Sequence, residues 1–125
     1  MLILGSPRLP PVSVEVIIMM RLVPIVIDGY TALGVEVLLP KTTLLAVTAG
    51  DGYIMCGALD VALLNDRLKD RGILAGRAVG VKTLDQLLDA PLESVTHEAE
   101  RAGIVPGMQG RAAVARMAAM SANRP

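Results

Sequence analysis

Two short turn signals constrain this chain more than any other feature. Asp28-Gly29 and Gly50-Asp51-Gly52 each sit between apolar, β-branched runs. Such steps accept the positive backbone angles of two-residue hairpin loops at little cost. Leu22–Ile27 and Tyr30–Leu39 therefore read as one hairpin, and Thr43–Ala49 with Gly52–Cys56 as a second. Pro40-Lys41-Thr42 supplies the turn between them. Upstream, Val12, Val14, Val16 and Ile18 alternate with Ser13, Glu15 and Ile17, which suits a further strand. The chain is expected to begin as an antiparallel meander.

Beyond the meander the chemistry changes. Residues 1–59 hold seven charged side chains, and residues 60–125 hold the other seventeen. A β-branched, charge-poor half followed by a charged, Leu/Ala-rich half predicts strands first and helices after. Ala58–Arg71 reads as a helix, buried all round in its first half, closed by Gly72. Ile73–Val81 reads as a strand; parallel to Gly52–Cys56, it would complete a βαβ crossover. Thr83-Leu-Asp-Gln86 matches a capping box. Pro91 is placed to open a helix with Leu92, Val95, Ala99 and Ala102 on its core face, ended by Gly103. A last helix, Met108–Met120, aligns Met108, Ala112, Ala115 and Ala119, while Val114, Met117 and Ala118 widen its apolar surface. Cover for that helix is expected from the sheet and from a second subunit. The expected fold is a single α+β domain: a mainly antiparallel sheet of five or six strands, about four helices and one βαβ-like crossover.

At 125 residues there is room for one domain. Residues 1–19 read as an N-terminal extension upstream of a start at Met19 or Met20, residues 20–120 as the domain, and 121–125 as a tail. Glu15, Arg21, Pro24 and Asp28 interrupt the apolar stretch, so no membrane span is expected. Without a signal-peptide pattern, a cytoplasmic chain is expected. Twelve basic residues balance twelve acidic ones, and neither Phe nor Trp occurs, so no nucleic-acid partner is expected.

The segments LPKTTLLAVTAGDGYIMCGALDVALLNDRL and RGILAGRAVGVKTLDQLLDAPLESVT resemble the YunC-like family of small bacterial and archaeal proteins. The likeness runs from about Met20 into the Ala-rich last helix and is most specific over Gly52–Asn65. It implies a compact α+β fold and brings no assigned activity and no cofactor.

Candidate residues gather at the expected strand-to-helix junction. Cys56 would sit there before Gly57, where a helix N-terminus favours a thiolate, with Asp60 one turn on as a base. The plainer alternative for Cys56 is a buried inert thiol. For Asp60 it is a dipole-complementing acid in a helix capped by Gly57. Gly57 and Ala58 would offer backbone groups to an anion or carbonyl, with Arg77 as its anchor. Without a ligand, Arg77 needs an internal partner such as Asp60. His97 is expected on the surface beside Glu93 and Arg101, which removes a base for Cys–His or Ser–His–Asp catalysis. One His and one Cys cannot fill a zinc site, and no metal is expected. Lys41, Lys82, Asp66, Lys69 and Asp70 read as solvated surface. Three functions remain open: a binding or sensor-like module for a small anionic ligand, an enzyme using Cys56 with Asp60, or a homo-oligomeric structural subunit.

Overall fold

Both turn signals become hairpins. A computed structural model describes residues 19–68 and 71–123. In it β1 (Met20–Ile27), β2 (Tyr30–Leu39), β3 (Thr42–Ala49) and β4 (Gly52–Met55) form an antiparallel meander. Asp28 and Gly29 take φ of 52° and 82° between the paired Ile27 and Tyr30, the double positive of a type I′ turn. Between Ala49 and Gly52 only Gly50 is positive, at 58°, as in a type II′ turn with Gly first. The strand expected over Val12–Ile18 lies outside the described residues, as do Lys69, Asp70 and all but Met19 of the expected extension.

After β4 the chain crosses over. β5 (Leu74–Arg77) lies parallel to β4, and β6 (Ser94–Val95) closes a six-stranded sheet in the order β1-β2-β3-β4-β5-β6. The parallel pair requires a long connection, which carries helix α1 (Val61–Asp66). Helices α2 (Leu84–Asp89), α3 (His97–Arg101) and α4 (Gly110–Ala122) complete the chain. This is the expected α+β domain with one crossover.

Several expected element boundaries are corrected. The helix over Ala58–Arg71 shrinks to α1 because Asp60, not Gly57, is its N-cap. The Asp60 carboxylate accepts the Leu63 N–H at 3.0 Å, a bond glycine has no side chain to make. Nor is its first half buried: only Leu64 is covered, and Leu63 is 41% exposed. The strand over Ile73–Val81 is confined to Leu74–Arg77. Pro91 opens no helix. It bridges Gln109, and Ser94–Val95 pair with β5 instead. The helix starts at His97 because Thr96 caps it, accepting the Ala99 N–H at 3.2 Å.

The core lies between one face of the sheet and α2 and α4. Leu45, Val47 and Ile54 from the strands meet Leu87, Val114 and Met117 from the helices, all essentially fully buried. Each contributes about 1.5–3 kcal/mol of burial. The buried stripe of α4 is Gly110, Ala113, Val114, Met117 and Ala118, rotated from the expected Met108–Ala112–Ala115–Ala119 line, and Ala112 is exposed. Gly110 sets this rotation. A Cβ there would run into the Leu87 carbonyl and stand 2.9 Å from Ile54 Cδ1, so only glycine lets the helix start this close. On the other face of β1 the side chains stay in solvent: Met20, Leu22 and Val26 are 50%, 61% and 70% exposed, with Pro24 among them.

Candidate functional site

The predicted site residues separate into two groups at the end of β4 and β5. Cys56 turns inward. It is 7% exposed, its N–H donates to the Leu45 carbonyl at 3.0 Å, and its Sγ accepts the Leu45 N–H at 3.5 Å. The thiol thus extends the β3–β4 ladder as a core group, and it faces no helix N-terminus because α1 begins beyond Asp60. Gly57, Ala58 and Asp60 turn outward. With Leu59, Val61, Ala62, Asn65, Arg77 and Ser94 they line an open cleft of about 580 Å³.

Arg77 organises this cleft. It is the last residue of β5, opposite Met55, the last of β4. Its Nε and Nη2 donate to the Gly57 carbonyl at 3.3 and 3.1 Å. Its Nη1 donates to Glu93 Oε1 at 3.1 Å. The expected partner Asp60 is therefore replaced by Glu93. The reason lies in the backbone, for the Glu93 N–H donates to the Arg77 carbonyl at 2.7 Å and brings the side chain alongside. Ser94 Oγ donates to the same Glu93 oxygen at 2.7 Å. Asp60 instead spends one oxygen on the α1 cap.

A guanidinium has five N–H donors. Three are engaged here, which leaves one on each terminal nitrogen. The side chain is 31% exposed, so these donors are half-desolvated at the cleft wall. Opposite charges meet in the lining, Arg77 against Asp60, and Asn65 adds an amide. The arrangement suits orientation of one anionic group by hydrogen bonds, with small apolar side chains around it. The hydroxyl in its lining, Ser94 Oγ, is held by the same Glu93 oxygen that Arg77 binds.

Ser94 escaped sequence reading because it reaches the cleft through β6, a two-residue strand, and Glu93 because it meets Arg77 from the residue just before that strand. Thr96 escaped for the same cause. Fully buried, it accepts the N–H groups of Ala75 and Ala99 at 3.1 and 3.2 Å and donates to the Ala75 carbonyl at 3.3 Å. His97 is exposed, as expected, and its N–H donates to Asn65 Oδ1 at 2.9 Å. Among the described residues no helix is long and apolar enough to cross a membrane.

Sheet order, crossover and cleft together define a class: a small α+β domain whose one parallel strand pair ends at a polar cleft. The chain belongs to the family described as a domain of unknown function, DUF1805, whose profile matches residues 55–117, the span that holds Gly57, Arg77, Glu93 and Thr96. The uncharacterized protein YunC of Bacillus subtilis (strain 168) is 64% identical over 99 residues, covering 79% of this chain and 98% of that protein. The crystal structure of a protein of unknown function, TA1206, from Thermoplasma acidophilum superposes with a TM-score of 0.71 at 33% identity. It covers 79% of this chain and 93% of that one. The YunC-like resemblance of the sequence is thus family membership, and it brings no assigned function.

Proposed function

We propose that the Gly57–Ala62 cleft binds a small ligand through a single anionic group, a carboxylate, held by Arg77. The observation that carries this is the half-buried guanidinium with one unshared N–H on each terminal nitrogen, lining a cleft of about 580 Å³. Fork-shaped donors favour planar carboxylates. Glu93 and Asp60 set two carboxylates against the one guanidinium, so a second negative charge on the ligand has no partner. The domain then acts as a binding or sensor-like module. Burial of Cys56 supports a packing role for the thiol rather than nucleophilic chemistry. A cytoplasmic setting belongs to this reading.

The test is a thermal-shift screen of small mono- and dicarboxylates and amino acids on the full chain, since a ligand raises stability by mass action. A saturable rise is expected with a monocarboxylate, lost in Arg77→Lys and strengthened in Glu93→Gln, where the competing carboxylate is gone. No rise with any compound at about 100-fold the micromolar protein concentration rejects binding tighter than that range.

Self-association is favoured by a separate observation, the uncharged exposed row Met20, Leu22, Pro24 and Val26. The last helix, expected to supply the subunit contact, spends Val114, Met117 and Ala118 on its own sheet. A homo-oligomer built on the outer face of β1 gives a mass above the monomer by light scattering, and Leu22→Glu with Val26→Lys returns it to the monomer.

A further inference from the structure

Away from the Arg77 cleft, two exposed lysines line a second space. Lys41 stands in the turn between β2 and β3, and Lys82 in the loop before α2. With Thr42, Thr43 and Val81 they line a second open cleft of about 450 Å³, which shares no residue with the first. Neither ammonium takes part in an ion pair among the described residues, and no carboxylate lines the space. Two like charges facing one cavity repel, so the pairing gives nothing to the empty protein.

The backbone makes the arrangement less ordinary still. Leu39 pairs with Thr42, so Pro40 and Lys41 form a two-residue turn. Lys41 takes a φ of 65°. Pro first and a positive φ second is the order of a type II turn, whose second position favours glycine or asparagine. A long side chain there is held against backbone preference, and such outliers gather at binding sites. Opposite it, the Lys82 N–H donates to Gln86 Oε1 at 2.7 Å, which ties that loop to α2. Thr83 caps the same helix by accepting the Gln86 N–H at 3.0 Å. Both cations thus sit on fixed turns.

We infer that this cleft is a phosphate site: Lys41 and Lys82 neutralise a phosphomonoester or inorganic phosphate dianion, and one hydroxyl of the Thr42–Thr43 pair, whose side chains alternate along β3, donates to its oxygens. A phosphate carries about −1.5 to −2 charge at neutral pH, matched by two ammonium groups. Lysine serves phosphate as a point charge, without needing the planar fork that a carboxylate prefers. Lacking arginine or an aromatic ring in its lining, the cleft fits a single phosphoryl group rather than a nucleic-acid strand.

The experiment tracks melting of the full chain against inorganic phosphate, and in parallel against glycerol phosphate, at constant ionic strength held with chloride. Native protein is expected to gain a saturable increase in Tm. Tighter binding of glycerol phosphate identifies an esterified ligand, and equal binding identifies the free anion. Lys41→Gly separates the two demands on this position. Without phosphate its Tm should equal or exceed that of the native chain, because glycine suits the turn, yet its apparent phosphate affinity should fall at least about tenfold. Lys82→Gln should lose as much, whereas Arg77→Lys should retain the native response. An unsaturable response of the native chain, or an undiminished one in both Lys41→Gly and Lys82→Gln, overturns the inference.

Discussion

Arg77 grips the carbonyl of Gly57 at two points, Nε at 3.3 Å and Nη2 at 3.1 Å. The contact ties the start of the crossover to the end of β5, so the wall of the cleft is fastened to the sheet rather than left as a loose loop. Lysine cannot reproduce it, having one head and no fork. In Arg77→Lys the amides of residues 58–60 should exchange about tenfold faster, the equivalent of about 1.4 kcal/mol of lost local closure. Hydrogen exchange resolved by residue measures this. Unchanged protection means that the loop is held by other contacts and that Arg77 is free to serve the ligand alone.

Thr96 saturates its hydroxyl inside the protein, with two N–H groups accepted and one carbonyl served. Thr96→Val keeps the shape and strands the Ala75 N–H and the first turn of α3. A buried donor left unmet costs about 1–3 kcal/mol, and the loss of the cap adds about 1 kcal/mol. Denaturant unfolding should therefore show a loss of about 2–4 kcal/mol. Thr96→Ser should recover most of it by restoring the hydroxyl. If Val and Ser behave alike, the hydrogen bonds contribute little and packing of the methyl group decides.

These residues also mark where sequence reading stops. The hairpins at Asp28-Gly29 and Gly50-Asp51 were legible because turn chemistry is local and needs nothing from the rest of the chain. Gly57, Ala58 and Arg77 were legible as cleft residues because β4 and β5 could be paired through one crossover. Residues 91–96 were not. Their apolar spacing, Leu92, Val95 and Ala99, fits a helix, yet the Thr96 N–H donates to the Ala75 carbonyl, and Leu92 exchanges bonds with Gly107 and Met108. Partners so distant in sequence leave no periodic trace. On that segment Ser94 entered the cleft and Glu93 met Arg77, and both were invisible with it. Asp60 failed differently: its side chain could cap a helix or ride within one, and the shorter helix won because its carboxylate satisfies an otherwise orphaned N–H.

Cys56 gives a chemical readout of the same junction. Its thiol belongs to the core cluster and is 7% exposed, so a thiol reagent should reach it only after opening. Labelling by a maleimide is expected to be about tenfold or more slower in the native chain than in denaturant. Cys56→Ala should fold and keep any ligand response, at a cost of about 1 kcal/mol for the lost sulfur. Native labelling as fast as unfolded labelling would reinstate an accessible, reactive thiol.

Gly110 supplies a test of the helix-to-sheet distance that sets the whole core. Alanine at the first turn of α4 improves helix propensity by up to about 1 kcal/mol. Against that gain, its Cβ would collide with the Leu87 carbonyl and crowd Ile54 Cδ1 at 2.9 Å. A backbone oxygen has no rotamer to escape into, so α4 must lift from β4, loosening Val114 and Met117 as it does. Overpacking of this kind costs about 1–3 kcal/mol, and the collision should outweigh the propensity gain. Gly76→Ala is the internal comparison. Its Cβ would meet Leu92 Cδ1 at 2.8 Å, the end of a side chain that can turn. Chemical denaturation should place Gly110→Ala below Gly76→Ala in stability, with both below the native chain. The reverse order would mean that α4 yields more easily than Leu92, and that the core is set from the β6 side.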